Sequence, residues 1–258
     1  MRQTPFSGNW REIAIAAASP LEFARKFLDF FPDEAQARVL DRAPDFRQIA
    51  LNCSRQWGKS TVAAVLATHR LVVVPRSTVL IVGPTGRQSS ETLLKVSSFL
   101  NTLAIKTRGD GANRHAMLLP NGSRIVGLPA VEGTIRGFSA VSMLIVDEAS
   151  RVPDEVYQAV RPSLATSNGD VILLSTPKGK RGFFYREMTE GERWLRHTGP
   201  VTECKRITER FIDEERSRGD AYFQQEYLCE FIDTGKYLFD EALVKKMINP
   251  NEQAWRWL

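Results

Sequence analysis

Cysteine is scarce in this chain, three among 258 residues, and the three form no pattern. Cys53, Cys204 and Cys229 are odd in number and lack metal or disulfide spacing, which argues against a disulfide framework and suits a reducing cytoplasm. Long apolar runs are missing too. The stretch Ile13–Ala18 is too short for a membrane span or a signal peptide, so no membrane partner is expected. There is no internal repeat and no low-complexity tract. Charge is not extreme: a net +5 mildly favours a polyanionic partner and decides nothing alone. What remains is a globular composition, 43% hydrophobic and long enough for one substantial α/β core.

Against that background one segment stands out, Cys53-Ser-Arg-Gln-Trp-Gly-Lys-Ser-Thr61. It follows the β-rich run Gln48–Asn52 and precedes the helix-forming run Val62–Leu71. A Gly-Lys-Ser at a strand-to-helix turn presents backbone N–H groups to phosphate oxygens, and the helix N-terminus adds positive potential. The candidate nucleotide-binding residues are Ser54, Arg55, Gln56, Trp57, Gly58, Lys59, Ser60 and Thr61. Lys59 can reach the β/γ-phosphates, the Ser60 hydroxyl can ligate Mg²⁺, and Gly58 lets the backbone close on the ligand. The usual loop has glycine at both ends; here Cys53 stands at the first.

A second half-site lies about 80 residues downstream. Met143–Val146 is an apolar run too short for a helix, and it ends in Asp147 and Glu148. In phosphoryl transfer one strand-tip acid holds Mg²⁺ and its neighbour polarises the attacking water. Asp147 fits the first role and Glu148 the second. The pair predicts a nucleoside triphosphatase with ATP and Mg²⁺ as its ligands.

The hydrophobic pattern predicts core strands at Gln48–Asn52, Thr78–Val82, Ser142–Val146 and Asp170–Ser175. Helices at about 60–71, 87–102 and 154–165 separate them, the alternation of a parallel sheet covered on both faces. Upstream, Leu21–Phe30 and Ala35–Arg42 read as helices. His115–Leu119 and Arg124–Leu128 around Asn121-Gly122 read as an antiparallel hairpin insert. Beyond Thr176 the pattern turns α+β, with helices at Phe183–Thr189, Thr208–Ser217 and Tyr222–Glu230 and a short strand at Trp194–His197. A further helix is possible at Phe239–Met247. This divides the chain into a core (residues 1–180), a small helical lid subdomain (181–233) and a linker or tail (234–258).

Four weaker signals surround these motifs. Ser175 and Thr176, at a strand exit, could sense the γ-phosphate; a polar exit before Pro177 is the plainer alternative. Lys178, Lys180, Arg181 and Arg186, interleaved with glycines and aromatics, suit nucleic-acid phosphates or simply a solvated loop. Arg136, on an exposed loop before the acidic strand, could neutralise transition-state charge, from a neighbouring subunit in a ring. Arg55 is its rival from within the same subunit. Gln36, on a helix before the first strand, could read an adenine edge through its amide.

Together these motifs resemble the ATPase domain of the large terminase subunit, the DNA-packaging motor of tailed bacteriophages. The likeness runs from roughly Pro20 to Asp240. It includes the helix bearing Gln36, the arginine-carrying phosphate loop Ser54–Ser60 and Val79-Leu-Ile-Val-Gly-Pro-Thr-Gly-Arg-Gln88. Ile135-Arg-Gly137, Leu144-Ile-Val-Asp-Glu148, Leu173-Leu-Ser-Thr-Pro177 and Phe223-Gln-Gln-Glu-Tyr-Leu-Cys-Glu-Phe231 complete the set. The resemblance implies a RecA/ASCE-like P-loop fold and a ring-forming motor, five subunits on a procapsid portal. That motor threads double-stranded DNA with the portal protein and the small terminase subunit as partners. It would work in the host cytoplasm and at the portal vertex, without remaining in the mature virion. Catalytic roles would fall to Glu148, Arg136 and Arg55, coupling to Ser175 and Thr176, and metal binding to Ser60 and Asp147. Such proteins continue into an RNase H-like nuclease domain, whose acidic cluster this sequence does not supply. The expectation is therefore ATP hydrolysis without DNA cleavage.

Three other functions compete. A helicase-type ATPase shares the Asp-Glu strand but needs two such domains. A nucleotide-binding scaffold would have no use for Glu148. A small-molecule kinase would need a lid and an acceptor pocket that no segment resembles.

Overall fold

The computed structural model describes residues 17–111, 115–135 and 137–232. Residues 1–16, Arg136 and the possible helix at Phe239–Met247 lie outside the described residues.

Seven strands form one sheet: β1 (Gln48–Cys53), β2 (Thr78–Gly83), β3 (Ala116–Leu118), β4 (Arg124–Pro129), β5 (Met143–Asp147), β6 (Asp170–Ser175) and β7 (Trp194–Gly199). Their spatial order is β3-β4-β2-β5-β6-β1-β7. Every neighbouring pair is parallel except β3–β4, the predicted hairpin. The central strands are buried along their length except at the first residue of β1, β2 and β6, as parallel strands covered on both faces must be.

Side-chain alternation sorts the sheet into two cores. Ile49, Leu51, Val79, Ile81, Ile145 and Leu174 point to one face. There they meet α1 (Pro20–Phe27), α2 (Glu34–Arg42), α3 (Lys59–Val73) and α4 (Gly86–Thr102). Ala50, Leu80, Leu144, Val146 and Leu173 point to the other, against α5 (Glu132–Ile135), α6 (Asp154–Val160) and α7 (Gly182–Thr189). The period of two in a strand is what lets one run of apolar residues serve both layers. The last two helices, α8 (Glu209–Arg216) and α9 (Asp220–Glu226), close a small third core around Val201, Phe223 and Tyr227. Among the described residues no helix is long and apolar enough to cross a membrane.

The fold class expected from the sequence is the one observed, with four local differences. The run read as one helix over 154–165 breaks at Val160 into a 3₁₀ turn, Arg161–Leu164, because Pro162 cannot continue the α-helical ladder. The hairpin is no separate insert: β4 pairs with β2 and extends the main sheet. The helix read as Tyr222–Glu230 ends at Glu226, and Cys229, at φ 62°, turns the chain away. Finally, Trp194–Gly199 pairs along its full length with β1 as an edge strand. The sheet thus continues past residue 180, where the sequence placed the end of the core.

The entry to β6 is packed at its limit. A Cβ on Gly169 would overlap the carbonyl oxygen of Val141 and Cδ2 of Leu164. Backbone on one side leaves nothing soft to yield. Gly169→Ala should therefore destabilise the fold by about 1–3 kcal/mol, the usual cost of overpacking, read as a lowered urea midpoint with an unchanged m-value.

Candidate functional site

The register of the sheet positions the site. Asp147 on β5 lies level with Leu174 on β6, and Leu174 level with Leu51 on β1. One strand intervenes between β1 and β5, so their tips stand about 10 Å apart at the same sheet edge. The two halves found separately in the sequence meet there. Gly58, Lys59, Ser60 and Thr61 line one side of a cavity of about 660 Å³, and Glu148 and Thr176 line the other.

The phosphate loop is held from behind. Trp57 is fully buried, with its ring 5.2 Å from that of His197 on β7. Its indole Nε1 donates to Glu203 Oε2 (3.3 Å), an oxygen that also lies 3.0 Å from His197 Nε2. At the base of the loop, Ser54 N–H donates to the carbonyl of Gly199 (2.9 Å). Gly199 has to be glycine, because a Cβ there would run into the Trp57 indole. Gly58 adopts φ 94° as the first half-turn of α3, a left-handed conformation that favours glycine. A side chain on it would also lie 2.5 Å from Gln36 Nε2.

Gln36 braces the loop from α2. Its Nε2 donates to the Trp57 carbonyl (2.7 Å), while its Oε1 accepts from Asp33 N–H in a capping box at the start of α2. These two contacts make Gln36 a strut for the loop at the cavity wall. Arg206 supports the same carbonyl (3.0 Å) and pairs with Asp33 (3.0 Å).

On the opposite wall, Asp147 is 5% exposed. Thr92 Oγ1 donates to its Oδ2 (2.6 Å) and Glu148 N–H to its Oδ1 (2.9 Å). Burial pushes the Asp147 carboxyl above its ordinary value; the Thr92 hydroxyl opposes the rise, and the Glu148 charge adds to it. Glu148 sits at φ 50°, which turns the chain sharply off the strand at this tip. Its Oε2 lies 2.6 Å from Arg151 Nη1. Ser175 is fully buried, and its Oγ lies 2.8 Å from Ser150 Oγ, tying the tip of β6 to the turn after the acids. Lys178, Lys180 and Arg181 are exposed on the following loop, whereas Arg186 is paired with Asp154 (2.8 Å).

Several site residues escaped the sequence reading. Gln88 and Lys95 line the cavity from α4, and Thr92 lies between them on the same helical face. Their i, i+4, i+7 spacing was a signal available in the sequence. Burial lowers the Lys95 ammonium, partly offset by Asp147 and Glu91. Arg151 follows Glu148 at i+3. Glu226 had no local signal at all, yet its carboxylate binds Arg55 Nε (2.9 Å) and Arg151 Nη2 (3.3 Å).

A family profile described as terminase large subunit, T4likevirus-type, N-terminal, matches residues 50–246, well over half the chain. The chain belongs to the terminase large-subunit family. The large terminase subunit of Escherichia phage T5 is 26% identical over 219 residues, covering 81% of this chain and 50% of that protein. That of Thermus phage G20c is 27% identical over 181 residues, 62% of this chain and 36% of the relative. This terminase chain thus spans half or less of the length of these curated relatives. Among solved structures, the Thermus phage P74-26 large terminase ATPase domain superposes with a TM-score of 0.74 at 23% identity, covering 83% of this chain and 99% of that one. The HK97 bacteriophage large terminase gives 0.68 at 15% identity, covering 83% and 55%. These likenesses establish the fold, that of terminase ATPase domains.

Two measurements check the electrostatics of the site. Thr92→Val leaves a buried carboxylate without its hydroxyl donor and should cost about 1–3 kcal/mol at pH 7, read from denaturant unfolding. For Glu226, burial alone would raise the carboxyl, but the Arg55 hydrogen bond and the Arg55 and Arg151 charges more than offset it and hold it below its usual value near 4.5. A depressed folded-state value means stability present above pH 4.5 and lost as pH falls through the lower folded value. The difference in melting temperature between wild type and Glu226→Gln should accordingly narrow from pH 7 toward pH 3.

Proposed function

We propose that this chain is the ATP-hydrolysing motor part of a terminase large subunit, driving double-stranded viral DNA into a procapsid. The observation that carries the reading is the convergence of the Gly58–Thr61 turn and Glu148 on one cavity, with Asp147 buried behind it. Membership of the terminase family supports the substrate class.

Lys59, at the first residue of α3, would reach a β- or γ-phosphate held in the positive field of the helix N-terminus. Asp147 and Ser60 suit a divalent cation: a buried carboxylate destabilised by desolvation gains from a positive charge, and the Ser60 hydroxyl opens on the cavity that Glu148, next to Asp147, also lines. Bound there, Mg²⁺ would neutralise charge on the phosphate oxygens. Glu148 orients and polarises the attacking water. Thr176, at the cavity wall beside buried Ser175, reports the state of the phosphates to β6 and the loop after it. Lys178, Lys180 and Arg181 on that loop offer phosphate contacts to DNA, a placement that would couple hydrolysis to grip. Arg136 serves as the cation supplied to a neighbouring subunit in a five-membered ring on the portal, with Arg55 as its rival within the subunit.

Steady-state phosphate release with Mg²⁺–ATP tests this reading. Glu148→Ala should lower turnover by about 10²–10⁴ while ATP still binds, and Lys59→Ala should weaken binding itself. Equal, slow release by wild type and Glu148→Ala would reduce the chain to a nucleotide-binding scaffold. Arg136→Ala should cost about 10³–10⁵ in rate. Mixing those subunits with Lys59→Ala subunits should restore part of the activity in hetero-oligomers verified by size. No recovery would move the finger back to Arg55.

A further inference from the structure

Five basic side chains among the described residues line the cavity: Arg55, Lys59, Lys95, Arg151 and Arg206. The three arginines are committed to carboxylates. Arg55 pairs with Glu226 (2.9 Å), Arg151 with Glu148 (2.6 Å) and Arg206 with Asp33 (3.0 Å). Lys59 and Lys95 form no ion pair among the described residues. Lys59 belongs to the phosphate loop, whereas Lys95 comes from a different helix, α4.

The fold brings Lys95 to the cavity from a fixed direction. Val82 on β2 is level with Val146 on β5, so α4, which starts shortly after β2 ends, begins at the site edge of the sheet. Helical side chains lean toward the N-terminus of their helix. Lys95 therefore leans back toward that edge, one turn behind Thr92, whose hydroxyl donates to Asp147 Oδ2 (2.6 Å). Val96 and Leu100 bury α4 in the same core as Val62 and Leu66 of α3. The two lysines thus rise from adjacent helices into one cavity. Burial works against the Lys95 ammonium, Asp147 and Glu91 offset only part of that, and Lys59 adds to it. An oxyanion held by both lysines removes the deficit.

We propose that Lys95 is a γ-phosphate-binding residue: it holds the terminal phosphate from α4, within the same chain, and gives the site its preference for a triphosphate over a diphosphate. The proposal rests on reading the cavity as a nucleoside triphosphate site. Lys95 sits with the acids, because Thr92, on the same face of α4, grips Asp147. Those acids act where the terminal phosphate is attacked. Lys95 accordingly meets that phosphate, and the Gly58–Thr61 turn meets the ones that ATP and ADP share. Hydrolysis then removes the group that Lys95 holds and leaves the diphosphate to the loop alone.

Equilibrium binding to the whole chain in the presence of Mg²⁺, read by calorimetry, separates this from a structural role. Lys95→Met keeps an apolar stem and removes the charge. It should weaken the non-hydrolysable triphosphate AMP-PNP by about 10–100-fold, the range of one charge-assisted hydrogen bond, and ADP by less than about threefold. Equal weakening of both ligands overturns the proposal, as does a folded Lys95→Met that binds AMP-PNP like wild type. A second measurement needs no variant. Amine acetylation of the wild type, followed by peptide mass spectrometry, should find Lys95 shielded by AMP-PNP and not by ADP, and Lys59 shielded by both. Lys95 labelled alike with either nucleotide overturns the proposal even where Lys95→Met does not fold. Lys59 shielded by neither nucleotide would instead refute the triphosphate-site reading itself.

Discussion

Everything at this site depends on strand β6 lying between β1 and β5 and pairing in parallel with both. Parallel pairing sends all three C-terminal ends to one edge, and the register Asp147–Leu174–Leu51 keeps them level. The intervening strand sets a gap of about two strand spacings, room for a phosphate chain between the loop and the acids. It also delivers Ser175 and Thr176 between the two, so contact with either wall is felt in β6. A slip of one residue in β6 would turn its core residues to the wrong face, and the two apolar layers forbid it.

The loop itself shows how a missing glycine is tolerated. Cys53 stands where a phosphate loop usually begins with glycine, and the shape is kept by contacts from outside. Trp57 fills the space against β7, Ser54 holds the Gly199 carbonyl, and Gln36 and Arg206 converge on the Trp57 carbonyl. The ligand-facing curve is thus set by three separate elements, α2, β7 and the segment before α8. Polar contacts converging on the loop from separate elements favour one conformation.

How much of this could be read from the sequence varies with the range of the interaction. The strands β1, β2, β5 and β6 were legible to within a residue or so because doubly covered parallel strands are unbroken apolar runs. The strand β7 was less so: Trp-Leu-Arg-His-Thr-Gly is the mixed pattern of an edge, and only its pairing with β1 reveals its place. Lys59, Ser60, Asp147 and Glu148 stood out because two short motifs at strand ends are local signals, and Lys59, Ser60 and Glu148 do line one cavity. Gln36 was recognised as relevant, but its bracing of the loop was not legible, since its partners, a cap and a distant carbonyl, exist only in three dimensions. Glu226 was invisible for the same reason: Arg55 and Glu226 are 171 positions apart, and a lone glutamate on a polar helix looks like solvation.

The contact between Trp57 and Gly199 carries a corollary for how such proteins diverge. The indole occupies the space that any side chain at position 199 would need, so neither residue is free to drift alone. Enlarging 199 becomes tolerable only after 57 shrinks, and a small residue at 57 leaves a hollow beneath the loop until 199 fills it. The two positions should change hands as a pair, and sequences in which only one has moved should be rare among active motors.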